Sequence, residues 1–175
     1  MILPRNLEIK VRIKDVAAIE TAALNLGAKY EGVSEQLDTY FQVACGRLKL
    51  REVAQLKAEL IYYSRSEENT HRWSDYEVFP IDNAEKLKEI LSKSLGVKAV
   101  VAKRRKLYFH NNTRIHIDTV YGLGDFLEFE VLVEQEGEQQ ARNILKRLLR
   151  VFSVKEKDLI KGSYSDLMCF EQEKT

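Results

Sequence analysis

A strict alternation of side-chain type constrains this chain most. Arg5-Asn6-Leu7-Glu8-Ile9-Lys10-Val11-Arg12-Ile13-Lys14 switches between polar and apolar at every residue. A two-residue period belongs to a β-strand, whose successive side chains point to opposite faces. One face carries Asn6, Glu8, Lys10, Arg12 and Lys14, and the other carries Leu7, Ile9, Val11 and Ile13. The same design returns on later strands, so charge confined to one strand face is a property of the whole chain.

The elements can be read in order. Asp15 is placed to cap a helix over about 16–26, with Val16, Ile19, Ala23 and Leu26 on one side and Gly27 at its stop. A strand over 36–43, a tight turn at Ala44-Cys45-Gly46 and a returning strand Arg47-Leu48-Lys49-Leu50-Arg51 form a hairpin. Strands over 57–65 and 72–79 follow, separated by a polar loop at 66–70. Asp82 reads as the cap of a second helix, with Glu85 completing a capping box, Leu87, Ile90 and Leu91 as its apolar stripe and Gly96 ending it. Three more strands cover 98–110, 114–120 and 126–133, with turns at Asn111-Asn112 and Gly122-Leu123-Gly124. A third helix covers 138–152, with Ala141, Ile144, Leu145, Leu148, Leu149 and Phe152 along one side. The expectation is one α+β domain of about eight antiparallel strands and three main helices.

With 175 residues, 45% of them apolar, the chain has enough for one full core. No apolar run is long enough to span a bilayer and the N-terminus carries no signal-peptide pattern, so the chain reads as cytoplasmic. Cys45 and Cys169 lack metal-ligand spacing and read as free thiols. The 28 basic residues against 27 acidic argue against a broad nucleic-acid surface. Placement of charge, not its sum, must carry function.

Two arrangements satisfy the alternation. In one, the charged strand faces meet solvent and the helices cover an open sheet. In the other, the strands close into a barrel, helices clothe its apolar outside, and Glu8, Lys10, Arg47, Lys49, Arg51, Lys103, Arg105, Arg114, Asp118, Glu128 and Glu130 line its inside. Unpaired charges in a dry interior cost several kcal/mol each, so that barrel makes sense only as a wet tunnel. A polyphosphate carrying a divalent cation suits such a lining, because Lys and Arg bind phosphate oxygens and carboxylates hold Mg²⁺ or Mn²⁺. The period alone does not choose between sheet and tunnel.

From Arg5 to Met168 the chain resembles the CYTH superfamily of triphosphate tunnel metalloenzymes, most closely its class IV adenylyl cyclase branch. Asn6-x-Glu8-x-Lys10 stands where the family opens with Glu-x-Glu-x-Lys. Gly46-Arg47-Leu48-Lys49-Leu50-Arg51-Glu52 is similar to the basic hairpin, Lys103-x-Arg105-x-x-Tyr108 to the basic motif, Phe126-Leu127-Glu128-Phe129-Glu130 to the closing acidic strand, and Gly162-Ser163-Tyr164-Ser165-Asp166-Leu167 to the C-terminal signature. The resemblance implies a closed tunnel, a small-molecule triphosphate substrate and one or two Mg²⁺ or Mn²⁺ ions; beside it, charge balance and hydropathy set the expectation of a monomer or homodimer without nucleic-acid or membrane partners. It implies a metal-dependent phosphohydrolase, with a cyclase as the alternative and a non-catalytic triphosphate binder as a second one. Carried over by position, Glu8, Glu128 and Glu130 are the leading metal ligands, with Glu77 and Asp118 secondary. Lys10, Lys49, Arg51, Lys103, Arg105 and Arg114 hold phosphates, and Glu8, Lys10, Glu128 and Glu130 carry catalysis.

Two positions depart from the family pattern. Asn6 replaces the first glutamate and offers a weaker amide oxygen. Tyr63 stands where the family tends to place a lysine, with Arg65 two residues on as the substitute cation. His116 shares a face with Arg114 and Asp118 and reads as a hydrogen-bonded structural histidine ahead of a proton acceptor. Trp73 and Tyr63 read as packing residues ahead of ring-stacking ones.

Overall fold

The computed structural model describes residues 5–54, 57–65, 71–133 and 137–172. Within them the order is β1 (Arg5–Arg12), α1 (Val16–Asn25), β2 (Lys29–Phe41), β3 (Arg47–Val53), β4 (Lys57–Arg65), β5 (Arg72–Ile81), α2 (Ala84–Leu95), β6 (Val97–His110), β7 (Thr113–Val120), β8 (Gly124–Leu132), α3 (Gly137–Val151) and α4 (Tyr164–Gln172), with a short 3-10 turn at Glu156–Asp158. The strands close into an antiparallel barrel in the order β1-β5-β4-β3-β2-β6-β7-β8, and β8 pairs back onto β1. The polar loop expected at 66–70 lies outside the described residues.

The alternation explains the closure. Leu7, Ile9, Val11, Ile115, Ile117, Leu127, Phe129 and Val131 point outward from β1, β7 and β8 into one buried cluster. Ala23 of α1 and Ala141, Leu145, Leu148 and Leu149 of α3 cover them from outside. A second helix-covered patch joins Phe41, Leu50 and Ala58 to Leu87 and Leu91 of α2. Each Leu or Phe buried this way contributes roughly 1.5–3 kcal/mol, so the apolar faces of β1, β7 and β8 are committed to the outside. Their charged faces are left inside.

Local signals place the helices. The Asp15 side chain accepts from the Ala18 N–H at 3.0 Å, as expected of the α1 cap. For α2 the cap is Asn83, whose carbonyl oxygen accepts from the Lys86 N–H at 3.0 Å, and not Asp82. Both residue types cap well, and the helix begins one position later than the capping-box reading requires. The turn before β3 needs its glycine: Gly46 has φ +64°, and a Cβ there would stand 2.7 Å from Tyr62 Oη.

Two elements differ from the sequence expectation. β2 begins at Lys29, not Gln36, because its first half pairs along β6 through a register shift between Tyr30 and Gly32. The C-terminal signature forms a fourth helix, α4, packed at one end of the barrel with Tyr164 beside Phe126, Tyr40 and Val101. Cys45 and Cys169 are unbridged.

Candidate functional site

The barrel encloses a cavity of about 450 Å³. Asn6, Glu8 and Lys10 face it from β1, Lys49 and Arg51 from β3, Lys103 and Arg105 from β6, Arg114 and His116 from β7, and Glu128 and Glu130 from β8. The period of two makes this possible, since every second residue of each strand points inward.

Strand register groups the acidic residues. Glu8 lies opposite Glu130 and Lys10 opposite Glu128 across β1 and β8, while Arg114 lies opposite Glu130 and His116 opposite Glu128 across β7 and β8. Lys10 Nζ donates to Glu128 Oε1 at 2.8 Å, and Arg105 Nη2 donates to Glu128 Oε2 at 3.0 Å. Burial opposes the charge on Glu128, but Lys10, His116 and Arg105 together hold it well below the usual carboxylate range. Glu130 is lowered too, against its own burial, with His116 the leading cause. Arg114 reaches Glu130 at 3.3 Å, and Arg72 reaches Glu8 at 3.3 Å. Asn6 is 4% exposed, and its Oδ1 accepts no hydrogen bond among the described residues.

Across the cavity stands a basic wall built on a residue that the sequence reading passed over. Asp38 of β2 is fully buried, and its carboxylate takes Lys103 at 2.6 Å, Lys49 at 3.0 Å and Arg51 through two bonds of 2.8 and 3.0 Å. Three cations outnumber one carboxylate. Burial pulls Lys103 down to about 7, with Asp38 resisting and Arg51, Arg105 and Lys49 adding to the fall. Lys49 falls to about 8, again by burial first and Arg51 second. Asp38 stays well below the carboxylate range because these cations outweigh its burial. The signal was present: Gln36, Asp38 and Tyr40 alternate against Leu37, Thr39 and Phe41, which puts an acid at the middle of a strand.

Several candidates land elsewhere. Glu77 lies on the outer face of β5, exposed, and cannot meet a ligand in the cavity. Its neighbours Trp73 and Asp75 share that face, and Trp73 sits between Arg5 and Arg142 outside the barrel. Asp118 is fully buried with both oxygens engaged, one by Arg105 at 2.7 Å and the other by Arg105 and the Tyr164 hydroxyl at 2.6 and 2.8 Å. It positions Arg105 from behind the cavity lining, to which Glu128 and Glu130 belong. Arg47 points to the end of the barrel at Asp166 of α4, at 2.7 Å. The side chain of Arg65 lies outside the described residues. Tyr63 faces the cavity with Ile61, Tyr76 and Val78, forming an aromatic and aliphatic wall on β4 and β5.

The donors suit a hard or borderline dication. Two like charges placed directly opposite on a sheet repel, and Glu8 opposite Glu130 is such a pair. His116, Glu128 and Glu130 offer ligand atoms within 4.8 Å of one another. Arg72 and Arg114 offset that repulsion in part, and a cation held by the carboxylates would offset it further.

A closed barrel with opposed acidic and basic inner walls is a charged tunnel. The chain belongs to the CYTH domain family, whose model matches residues 4–164, and the members of that family are generally enzymes that depend on metals. It is 26% identical over 170 residues to "Putative adenylate cyclase MJ0240" of Methanocaldococcus jannaschii, covering 92% of this chain and 97% of that one. The fold matches the PH1012 protein of Pyrococcus horikoshii with a TM-score of 0.84 at 27% identity, covering 93% of this chain and 98% of that one. It also matches a Hippeastrum protein, HpAC1, described as a putative adenylyl cyclase with a dominant triphosphatase activity. That match has a TM-score of 0.64, covers 96% of each chain and, at 15% identity, speaks for the fold alone.

Proposed function

We propose that this protein is a divalent-metal-dependent phosphohydrolase that breaks a phosphoanhydride bond of a triphosphate held in the tunnel. One observation carries the reading: the two inner walls are opposite in chemistry, with Lys49, Arg51 and Lys103 around Asp38 on one side and Glu8, Glu128 and Glu130 on the other. A triphosphate with a chelated cation is complementary to both walls at once.

Lys49, Lys103 and Arg51 bind phosphate oxygens, which supply the negative charge that Asp38 alone does not. Lys10 and Arg114, paired with Glu128 and Glu130 on the acidic side, hold the phosphoryl group that is transferred. Glu8, Glu128 and Glu130 would hold Mg²⁺ or Mn²⁺, which neutralises phosphate charge and polarises the bond to be broken. Glu130, the more exposed of the paired carboxylates, accepts a hydrogen bond from the attacking water and orients it. Phosphoryl transfer has a loose transition state, so positioning and charge stabilisation dominate over proton abstraction. Arg105, locked by Asp118 and Glu128, keeps its position through the reaction.

A second reading, cyclisation of ATP, is favoured by the wall of Ile61, Tyr63, Tyr76 and Val78, which fits an organic ring better than a bare phosphate chain. The name carried by the M. jannaschii relative agrees with it. The ribose 3′-hydroxyl would then attack the α-phosphate and pyrophosphate would leave. A product assay on tripolyphosphate, ATP and thiamine triphosphate with Mg²⁺ or Mn²⁺ separates the readings. Orthophosphate release that falls at least about a hundredfold in Glu130→Gln, a loss of about 2.7 kcal/mol of transition-state stabilisation, is the expected result. Cyclic AMP with pyrophosphate establishes the cyclase, and triphosphate bound without any product establishes a binding protein.

A further inference from the structure

We propose that Tyr164 is a positioning residue of the tunnel: its ring seats Lys10 and its hydroxyl, through Asp118, seats Arg105, so one side chain of α4 sets both cations that grip Glu128. The inference rests on the tunnel reading above for its ligand and gives the C-terminal signature a task there.

Local structure aims Tyr164 into the barrel. Ser163 Oγ accepts from the Asp166 N–H at 3.2 Å and the Asp166 carboxylate accepts from the Ser163 N–H at 2.8 Å, the reciprocal pair of a capping box at the start of α4. Arg47 at 2.7 Å and Lys98 at 3.0 Å fasten the same carboxylate to β3 and β6. Upstream, the Ile160 N–H donates to the Lys10 carbonyl at 2.8 Å, so the chain leading into α4 is registered on the residue that its tyrosine reaches. Tyr164 is buried and lines the cavity.

A packing residue here would need only a ring against Phe126, whose centroid lies 5.1 Å away. Tyr164 makes two further contacts of a different kind. Lys10 Nζ stands 3.9 Å from its ring centroid, well inside the roughly 6 Å reach of a cation–π contact, and Lys103 Nζ stands 5.9 Å from it. A ring face attracts an ammonium without taking a particular hydrogen, so it fixes where the charge of Lys10 lies and not which way its N–H groups point. The hydroxyl donates to Asp118 Oδ2 at 2.8 Å, the oxygen that also takes Arg105 Nη2 at 2.6 Å. Lys10 and Arg105 then converge on Glu128, one on each oxygen, at 2.8 and 3.0 Å. Glu128 inherits its orientation from the tyrosine, and so does Lys10 its placement against the transferred phosphoryl group.

The test reads both cations by nuclear magnetic resonance in the full chain, labelled with ¹³C-lysine and ¹⁵N-arginine, with signals assigned by their loss in Lys10→Met and Arg105→Lys. The expected result is a wild-type Lys10 Hε resonance shifted upfield by the ring, a shift lost in Tyr164→Leu and kept in Tyr164→Phe. The Arg105 Nε–H resonance moves in both variants, since both lack the hydroxyl. Tripolyphosphate affinity is then compared between Leu and Phe at position 164. Leu binds at least about tenfold more weakly when Lys10 is present, and within about twofold of Phe in the Lys10→Met background. A side chain that only packs would cost the same in both backgrounds. A wild-type Lys10 signal at the position of solvated lysines, a shift that survives Tyr164→Leu, an Arg105 signal unmoved by Tyr164→Phe, or equal costs in the two backgrounds overturns the proposal. Should Tyr164→Leu fail to fold, the wild-type shift and the Tyr164→Phe spectra decide alone. Failure of the wild type to bind tripolyphosphate beside a ring-shifted Lys10 overturns the triphosphate reading and leaves Tyr164 as the seat of Lys10.

Discussion

Asp38 shows how much one inward residue can decide. It gathers Lys49, Arg51 and Lys103 without neutralising them, so the basic wall is assembled but still short of negative charge. The folded pKa of Lys103, about 7, and that of Lys49, about 8, lie below the ordinary lysine value because burial dominates. A bound triphosphate raises both, so binding near pH 8 takes up protons, and this contribution to affinity is fully present below pH 7 and shrinks as pH rises through 8. Calorimetry in buffers of different ionisation enthalpy will show roughly one proton more taken up by the wild type than by Lys103→Met. Equal uptake would mean that Lys103 is charged before the ligand arrives. The acidic and basic candidates on β1, β3, β6 and β8 were legible from alternation and spacing because each stands in a run of clear polar and apolar contrast. Asp38 stands in an alternation too, but Thr39 and Tyr40 soften its contrast and it was passed over, and Glu77 was misplaced because β5 carries polar and apolar residues on both faces.

At the scale of elements, strands divide the labour between their faces and helices complete only the outer one. Leu148 of α3 packs on the outward side chains of β1 and β8, on the far side of the barrel wall from the cavity. Leu148→Ala should therefore lower stability by about 2–5 kcal/mol, read as a fall in the urea midpoint. Tripolyphosphate affinity should stay within about twofold, as expected of sites that share no partner. A matching loss of affinity would show that the wall transmits outer packing to the site. All eight strands and the three amphipathic helices were legible from period and caps. The first half of β2 was not, because pairing through a bulge to β6 overrides its mixed Lys29-Tyr30-Glu31-Gly32 start. Nor was α4 as a helix: it is held by tertiary contacts, among them the Tyr164 hydroxyl on Asp118 and Arg47 and Lys98 on Asp166, more than by an apolar stripe of its own.

For the whole molecule, a net charge of +1 conceals a strongly divided interior. Alternation could not say which way the charged faces point; closure of β8 onto β1 answers it. Closure also changes which substitutions are informative. Removing Arg105 would strand the buried carboxylate of Asp118, at a cost on the order of 3–5 kcal/mol, so loss of binding in such a variant would mix stability with function. Lys49 and Lys103 are better probes, because Arg51 remains on Asp38 through two bonds when both are replaced. The most direct test of the tunnel is calorimetric titration of tripolyphosphate into the wild type and Lys49→Met/Lys103→Met, with thermal melting of each. The tunnel predicts saturable one-to-one binding to the wild type and a loss of at least about a hundredfold, or 2.7 kcal/mol, in the variant while it still melts cooperatively. Tripolyphosphate that fails to bind the wild type, or binds the folded variant equally well, would contradict a triphosphate site between these two walls.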